Sequence, residues 1–242
     1  MTLARAIVVI VLIAAGTAVA DPAPIGHVIT APTAWLPPEG GIVGSASLDH
    51  RGDGGFRIDY GLGGLAALEI GRDSDMRACS DPCAERADKS PSANAHMGFT
   101  MGVGQRDLRP AIALGLVTTF DKASLKAVDL HLVASYALGG ARIHAGAAAI
   151  ESRVGDATSG LVVRPTAGVE LTPPQYPKTT LMGDFAYLPL LKASAPTVEW
   201  TAGWGVRYQA FHWSSIELDV RHREGEGLGD STVMVRVNAL LH

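Results

Sequence analysis

The stretch VEWTAGWGVRY, residues 198–208, alternates apolar and polar side chains with a period of two. Trp200 and Trp204 lie on its apolar register, whereas Glu199 and Arg207 lie on the polar one. Successive side chains of a β-strand point to opposite faces, so this spacing predicts a strand with one apolar and one polar face. Helical periodicity reaches comparable strength nowhere in the chain.

The same alternation recurs from residue 41 to the C-terminus, with turn residues between the segments. Counting these segments predicts about twelve strands. They lie near 41–50, 55–62, 64–72, 95–104, 109–120, 126–138, 140–151, 160–171, 178–188, 197–208, 213–222 and 232–241. An even number of strands, most of them long enough to cross hydrocarbon when tilted, favours a transmembrane up-and-down antiparallel β-barrel. Such a barrel leaves no unpaired strand edge in lipid.

The N-terminus has the features of a cleaved export signal. Arg5 supplies a positive charge, residues 6–15 are apolar, and Ala18-Val19-Ala20 is a small-x-small cleavage site. The segment that follows is rich in proline, which favours extended backbone before the first strand. We therefore predict a signal peptide over 1–20 cleaved after Ala20, a proline-rich periplasmic leader over 21–40, and a β-barrel domain over 41–242.

The amino-acid composition limits the classes of molecule that the protein is expected to bind. Hydrophobic residues make up 47% of the chain and charged residues only 18%, which is low for a surface that faces water on all sides. The formal net charge of −4 does not suit a nucleic-acid partner, which would require a basic face. We expect outer-membrane lipid and the outer-membrane assembly machinery of a Gram-negative bacterium as partners, with surface polysaccharide or small solutes as further candidates.

Two further patterns support a membrane barrel. Links after even-numbered strands are mostly tight and those after odd-numbered strands generally longer, which is typical of short periplasmic turns and long outside loops. Aromatic residues on the apolar face fall near strand ends, where amphipathic rings meet lipid headgroups. The predicted aromatic rim consists of Tyr60, Tyr136, Tyr208, Phe120, Phe185 and Tyr187. Periodicity alone leaves open a soluble periplasmic barrel, in which the apolar face would point inward.

With the apolar face outward, the lumen carries charges of both signs. Charges in a confined interior must pair, because an unpartnered charge away from water is costly. We predict a lumenal charge network of Arg57, Asp59, Glu69, Asp129, His131, Arg142, His144, Arg164, Glu170, Asp184, Glu199, Arg207, Glu217, Asp219, Arg221 and Arg236. The network either braces the wall or forms the constriction of a narrow pore for small solutes. Glycines on the same face would leave part of the lumen open: Gly98, Gly102, Gly146, Gly168, Gly203 and Gly205.

Catalysis is not predicted. His131 and Ser135 share one face of a strand beside Asp129, but this spacing along a strand separates them by about 13 Å. They cannot form a nucleophile–base pair, so no catalytic residue is assigned. An outer-membrane hydrolase or lipid-modifying enzyme stays only as an alternative to a structural or surface-interaction barrel and to a pore.

Cys79 and Cys83 lie in the longest predicted link. In an exported protein, two cysteines at this spacing predict one local disulfide that pinches a loop. No histidine lies near them in sequence, so we predict neither a metal site nor a cofactor.

The leader contains one family resemblance. Thr30-Ala31-Pro32-Thr33-Ala34, followed by Leu36-Pro37-Pro38-Glu39-Gly40, resembles a motif of YjbH-like exopolysaccharide-associated outer-membrane proteins. The resemblance covers only these residues; it implies at most a link to surface-polysaccharide export and carries no functional residues over. The last strand departs from the usual pattern of outer-membrane barrels, because it ends at His242 and not on an aromatic residue.

Overall fold

The computed structural model describes residues 26–241, except 51, 53, 74–77, 80–93, 105–109, 122, 123, 155 and 193–195. The predicted signal peptide, leader residues 21–25, Cys83 and His242 lie outside the described part. Within that part, no helix is long and apolar enough to cross a membrane. The helical element of these residues is a single 3-10 turn, Leu228–Asp230.

Twelve long strands form the fold, and each coincides with a predicted strand to within a few residues. They are β1 (Ile42–Asp49), β2 (Gly54–Leu62), β3 (Ala66–Asp73), β4 (Asn94–Val103), β5 (Ala111–Asp121), β6 (Ser124–Leu138), β7 (Ala141–Val154), β8 (Val162–Leu171), β9 (Thr179–Lys192), β10 (Thr197–Phe211), β11 (Ser214–Arg223) and β12 (Thr232–Leu241). Two-residue strands lie at Ala78–Cys79, parallel to the end of β9, and at Ala157–Thr158, antiparallel to the end of β7.

The strands close into a barrel. Each long strand pairs antiparallel with the next along the chain, and β1 pairs antiparallel with β12 from Ile42↔Leu241 to Asp49↔Met234. The predicted up-and-down antiparallel barrel of twelve strands is therefore confirmed. We call the end where β1 begins and β12 ends the proximal end, and the opposite end the distal end.

Link lengths separate the two ends less clearly than the sequence predicted. At the proximal end, the tight turns at 63–65, 139–140 and 212–213 agree with the prediction. Gly139 adopts φ 57°, a left-handed conformation that favours glycine in such a turn. At the distal end, however, only residues 122 and 123 separate β5 from β6.

The faces of the wall are sorted as predicted for a membrane barrel. Apolar side chains point outward: Tyr60, Leu130 and Trp204 are 42%, 44% and 49% exposed. Charged side chains point inward, as in Arg207 and Glu217, which are 7% and 0% exposed. A soluble barrel would show the reverse, since it would bury its apolar face and present its charges to water.

The predicted rim aromatics lie near strand ends. Tyr60, Tyr136 and Tyr208 are 40–50% exposed at the proximal end. At the distal end, the Phe185 ring meets Tyr187 edge-on with centroids 5.4 Å apart and stacks on Trp200 at 6.2 Å. A band of partly exposed rings therefore lies at each end of the apolar exterior, with Phe120 half-buried at the distal end.

The outward face gives the first prediction. Replacing Leu132, near the middle of β6, by Arg should lower the free energy of unfolding in lipid vesicles by about 2–4 kcal/mol, because the guanidinium meets hydrocarbon. The matched control Leu138→Arg, at the proximal end of the same strand, should cost at most about 1 kcal/mol. Urea titration of both variants measures the difference, and equal losses would contradict a lipid-facing exterior.

Candidate functional site in the lumen

Residues 26–38, which we call the plug, lie inside the ring of strands. Val28, Ile29, Ala31 and Ala34 are 0–3% exposed. The segment contacts inward-facing side chains of β6, β9, β10 and β12, which only a position within the lumen allows. The sequence predicted an extended periplasmic leader here, whereas the described part of that leader folds back into the barrel.

The plug enters through the proximal end. The Gly40 amide donates to the Gly61 carbonyl at 3.1 Å, and the Gly61 amide donates to the Gly41 carbonyl at 2.9 Å. A Cβ on Gly61 would overlap the carbonyls of Pro37 and Pro38. Glycine at this point of the wall therefore lets the proline pair pass against it.

Asp184 of β9 anchors the plug through one carboxylate oxygen. Its Oδ2 accepts the backbone amides of Ile29, Thr30 and Ala31 at 3.1, 2.5 and 2.7 Å. Successive amides that converge on one anion form a nest, and hydrogen bonds to an ionised acceptor are stronger than neutral ones. This arrangement fixes residues 29–31 of the plug against β9.

Two arginines hold the plug from its carbonyl side. Arg207 Nη2 donates to the Val28 carbonyl at 3.3 Å, and Arg236 Nη2 donates to the Ile29 carbonyl at 2.9 Å. Both guanidiniums also bind Glu217, at 2.6 Å from Arg207 and 3.1 Å from Arg236. The carbonyl oxygens of the plug therefore accept hydrogen bonds from the same guanidiniums that form the buried ion pairs with Glu217.

Glu170 extends this network to β7. Its Oε1 accepts Arg207 Nη1 at 2.5 Å, and its Oε2 lies 3.4 Å from Arg142 Nη1 and 3.8 Å from His144 Nε2. His144 Nδ1 lies 2.7 Å from Ser135 Oγ, which accepts the Ala34 amide of the plug at 2.7 Å. A chain of contacts therefore runs from the ion network through the imidazole to the plug.

The order of serine, histidine and carboxylate in this chain is that of a hydrolase triad, yet the geometry assigns it a holding role. Ser135, His144 and Glu170 are at most 4% exposed, and the plug amide occupies the hydroxyl. A nucleophile must reach a reacting carbonyl, and in this arrangement the Ser135 hydroxyl instead accepts the Ala34 amide of the plug. Sequence reasoning rejected a pair of Ser135 with His131 and placed His144 in the lumenal network. It did not predict that His144 contacts Ser135 across the strands.

Apolar wall residues complete the site. Ala34 packs with Ala111, Ala113 and Val133, and Trp35 lies against this cluster. Val28 and Ile29 pack with Met182. The sequence carries a signal for this patch, because β5 is apolar on both of its faces near Ala111, which a purely polar lumen does not require.

The plug occupies part of the glycine space that the sequence predicted. A Cβ on Gly168 would lie 2.7 Å from Val28 Cγ2, and one on Gly203 would lie 3.1 Å from Ile29 Cδ1. A third glycine, Gly205, makes room for the Asp219 carboxylate beside it. The lumen is consequently filled at this level and is not open.

Other predicted network residues form separate pairs within the lumen. Arg57 Nε lies 3.5 Å from Asp59 Oδ2, and His131 Nδ1 lies 3.5 Å from Asp129 Oδ1. Glu69 Oε1 lies 3.1 Å from the Nε2 atom of His96, a residue that the predicted network left out.

Four further predicted residues lie outside the contacts described so far, although Asp219 is close enough to Arg236, Glu217 and Arg207 to interact with their charges. Arg164 is exposed, with its guanidinium carbon 5.4 Å from the Tyr187 ring centroid, and half-buried Glu199 accepts a hydrogen bond from Thr197. Asp219 and Arg221 are buried beside β12, and Arg221 Nη2 lies 3.4 Å from Met234 Sδ.

Among the described residues, no group of His, Cys, Asp or Glu side chains is placed to hold a metal ion. The predicted Cys79–Cys83 disulfide depends on Cys83, outside the described residues.

Solved structures share this barrel. KdgM porin matches with a TM-score of 0.57 and 9% identity over 84% of this chain and 99% of its own. The NanC porin matches with a TM-score of 0.54 and 8% identity over 82% of this chain and 98% of its own. The chain has a porin-type barrel fold. No protein-family model matches the sequence, and no curated protein is similar to it. The YjbH-like motif therefore stays a prediction.

The porin-type fold and the plug geometry lead to a second prediction. Asp184→Ala removes the acceptor of three plug amides, each charge-assisted bond being worth about 1.5–3 kcal/mol. We expect the opening free energy of residues 29–31 to fall by about 2 kcal/mol or more, which accelerates their hydrogen exchange about 30-fold. Asp59→Ala removes a lumenal carboxylate that holds no plug amide and is the matched control. Unchanged protection in Asp184→Ala would show that the nest does not anchor the plug.

Proposed function

We propose that this protein is a narrow pore of the bacterial outer membrane that its own N-terminal plug holds closed. The observation that carries the proposal is that the lumen is filled by a separate segment and not by the side chains of the wall alone. The contacts that hold this segment are mostly polar: Asp184, Ser135, Arg207 and Arg236 bind its backbone. Such contacts can be exchanged for water or a polar solute when the segment leaves.

The apolar exterior supports residence in a membrane. Large apolar side chains point outward around the whole wall, and a closed antiparallel sheet satisfies its backbone internally. Bacterial outer membranes hold single-chain barrels with even strand numbers. The porin-type fold agrees with this location, and the predicted signal peptide supplies the export step.

The second candidate is a structural or surface-interaction barrel with a permanently filled lumen. The close fit of the plug to the apolar patch of Ala111, Ala113 and Val133 favours it. This candidate differs from a closed pore in one measurable property, because removing the plug would not yield a conducting path.

Conductance separates the two candidates. In planar bilayers, the full chain should be closed, whereas a variant that lacks residues 26–38 should form stable ion-conducting channels. Asp184→Ala should show brief openings, since it weakens the nest but keeps the plug. Heat-modifiable mobility on gels serves as the folding control for each variant. Folded plug-free barrels without conductance would refute the pore and support the structural barrel.

The lumenal charges should then set ion selectivity. In the plug-free barrel, Arg207→Glu places an added negative charge in the central network, so the reversal potential under a salt gradient should shift toward cation selectivity. Arg164→Glu makes the same charge change at an exposed distal position, where salt screens it, and should shift the potential less. Equal shifts would place the constriction elsewhere.

A further inference from the structure

The turn of the plug that forms the nest also contains a histidine. His27 Nδ1 lies 3.1 Å from the carbonyl oxygen of Thr30, and since a carbonyl only accepts, this nitrogen donates. The bond is available to the neutral and to the protonated imidazole alike. The amides of residues 29–31, in the same turn, are those that bind Asp184. A displacement of the His27 ring therefore also disturbs the nest.

His27 lines a polar cavity between the plug and the wall. The cavity has a volume of about 150 Å³, enough for several water molecules, and His27 is half-buried on its lining. Protons from solution can therefore reach the ring. The charged and titratable groups around it, on the wall strands that face the plug, are Arg57, Asp59, Glu69, Arg72, His96, Asp129, His131, Asp184, Tyr187, Arg207 and Arg236.

The carboxylates around the cavity already have partners other than His27. Asp184 binds the plug amides, and three contacts within the wall hold the others: Arg57 Nε–Asp59 Oδ2 at 3.5 Å, His96 Nε2–Glu69 Oε1 at 3.1 Å and His131 Nδ1–Asp129 Oδ1 at 3.5 Å. The two wall histidines are charged only when protonated, so acid converts their contacts into ion pairs. Among the described residues, no carboxylate lies within ion-pair distance of the His27 ring.

A proton on His27 meets repulsion in the closed plug. Arg57 and, once protonated, His131 lie close enough to repel a charged imidazole. Glu69 attracts it but is the partner of His96. Enclosure in the lumen, followed by the positive charge of Arg57, lowers the pKa of His27 well below its ordinary value. When the plug opens, the ring returns to water, where the pKa of an imidazole is about 6.5.

We propose that His27 is an acid-sensitive switch of the plug: acid populates an opened state in which this imidazole is protonated and residues 27–31 have left the wall. The closed plug favours the neutral ring, so the contribution of His27 to closure is fully present above about pH 6.5 and is lost as the pH falls below that value. One proton taken up on opening raises the opening equilibrium constant by up to about tenfold per pH unit. The inference rests on the proposed pore in its consequence, since a loosened plug yields conduction only if the plug-free lumen conducts.

Hydrogen exchange of the amides of residues 28–31 in the full chain, corrected for the pH dependence of intrinsic exchange, measures this equilibrium. From about pH 7.5 to about pH 5, the opening equilibrium constant should rise by at least about fivefold and up to about 30-fold. In His27→Asn, whose side-chain amide can donate the same bond to Thr30 but takes up no proton, the rise should be less than about twofold. The matched control His50→Asn removes an exposed histidine between β1 and β2 that does not line the cavity, and it should respond like the unaltered chain.

An unchanged equilibrium in the unaltered chain, tighter closure in acid, or the same response in His27→Asn and His50→Asn would each overturn the assignment. Heat-modifiable mobility on gels checks that each variant is folded. In planar bilayers, acid should raise the open probability of the full chain and leave that of the plug-free barrel unchanged. An acid-loosened plug in a protein whose plug-free barrel does not conduct would refute only the pore. A conducting plug-free barrel with an acid-insensitive plug would refute only the role of His27.

Discussion

The structure depends on one constraint: the outward face of every strand must be tolerated by hydrocarbon. A sheet in that environment must close, because an unpaired backbone edge in lipid would cost several kcal/mol per group. The pairing of β1 with β12 meets this requirement. Because alternate residues face opposite sides, the same constraint sends the polar positions of each strand, such as Arg207 and Glu217, into the lumen.

A lumen packed with charge requires partners for each group, and the wall supplies only part of them. Glu217 forms ion pairs with Arg207 and Arg236. Both guanidiniums have further N–H groups, and these donate hydrogen bonds to the plug carbonyls. Conversely, the plug amides need acceptors once they leave water, and Asp184 provides one. The plug and the wall therefore complete each other, which explains why a proline-rich segment without long strands is ordered inside the barrel.

The fold could be predicted from the sequence because period-2 alternation is a local property of each strand, as in residues 198–208. The site could not, because its contacts join residues distant in sequence, such as Asp184 with Ile29. The His144–Ser135 contact required the cross-strand register, which alternation does not determine. The position of the leader inside the barrel was not predicted, because it also depends on contacts between residues distant in sequence. The apolar inward-facing residues near Ala111 were a signal in the sequence that another segment packs against them.

Two tryptophans on opposite sides of the wall allow a direct test of which face meets hydrocarbon. Trp204 is 49% exposed on the exterior, whereas Trp35 packs inside against the lumenal alanine cluster. Single-tryptophan proteins, with the others replaced by Phe, would be reconstituted into vesicles containing lipids brominated on their acyl chains. We expect strong quenching of Trp204 fluorescence and little quenching of Trp35. Quenching of Trp35 with Trp204 spared would contradict a lipid-facing apolar exterior.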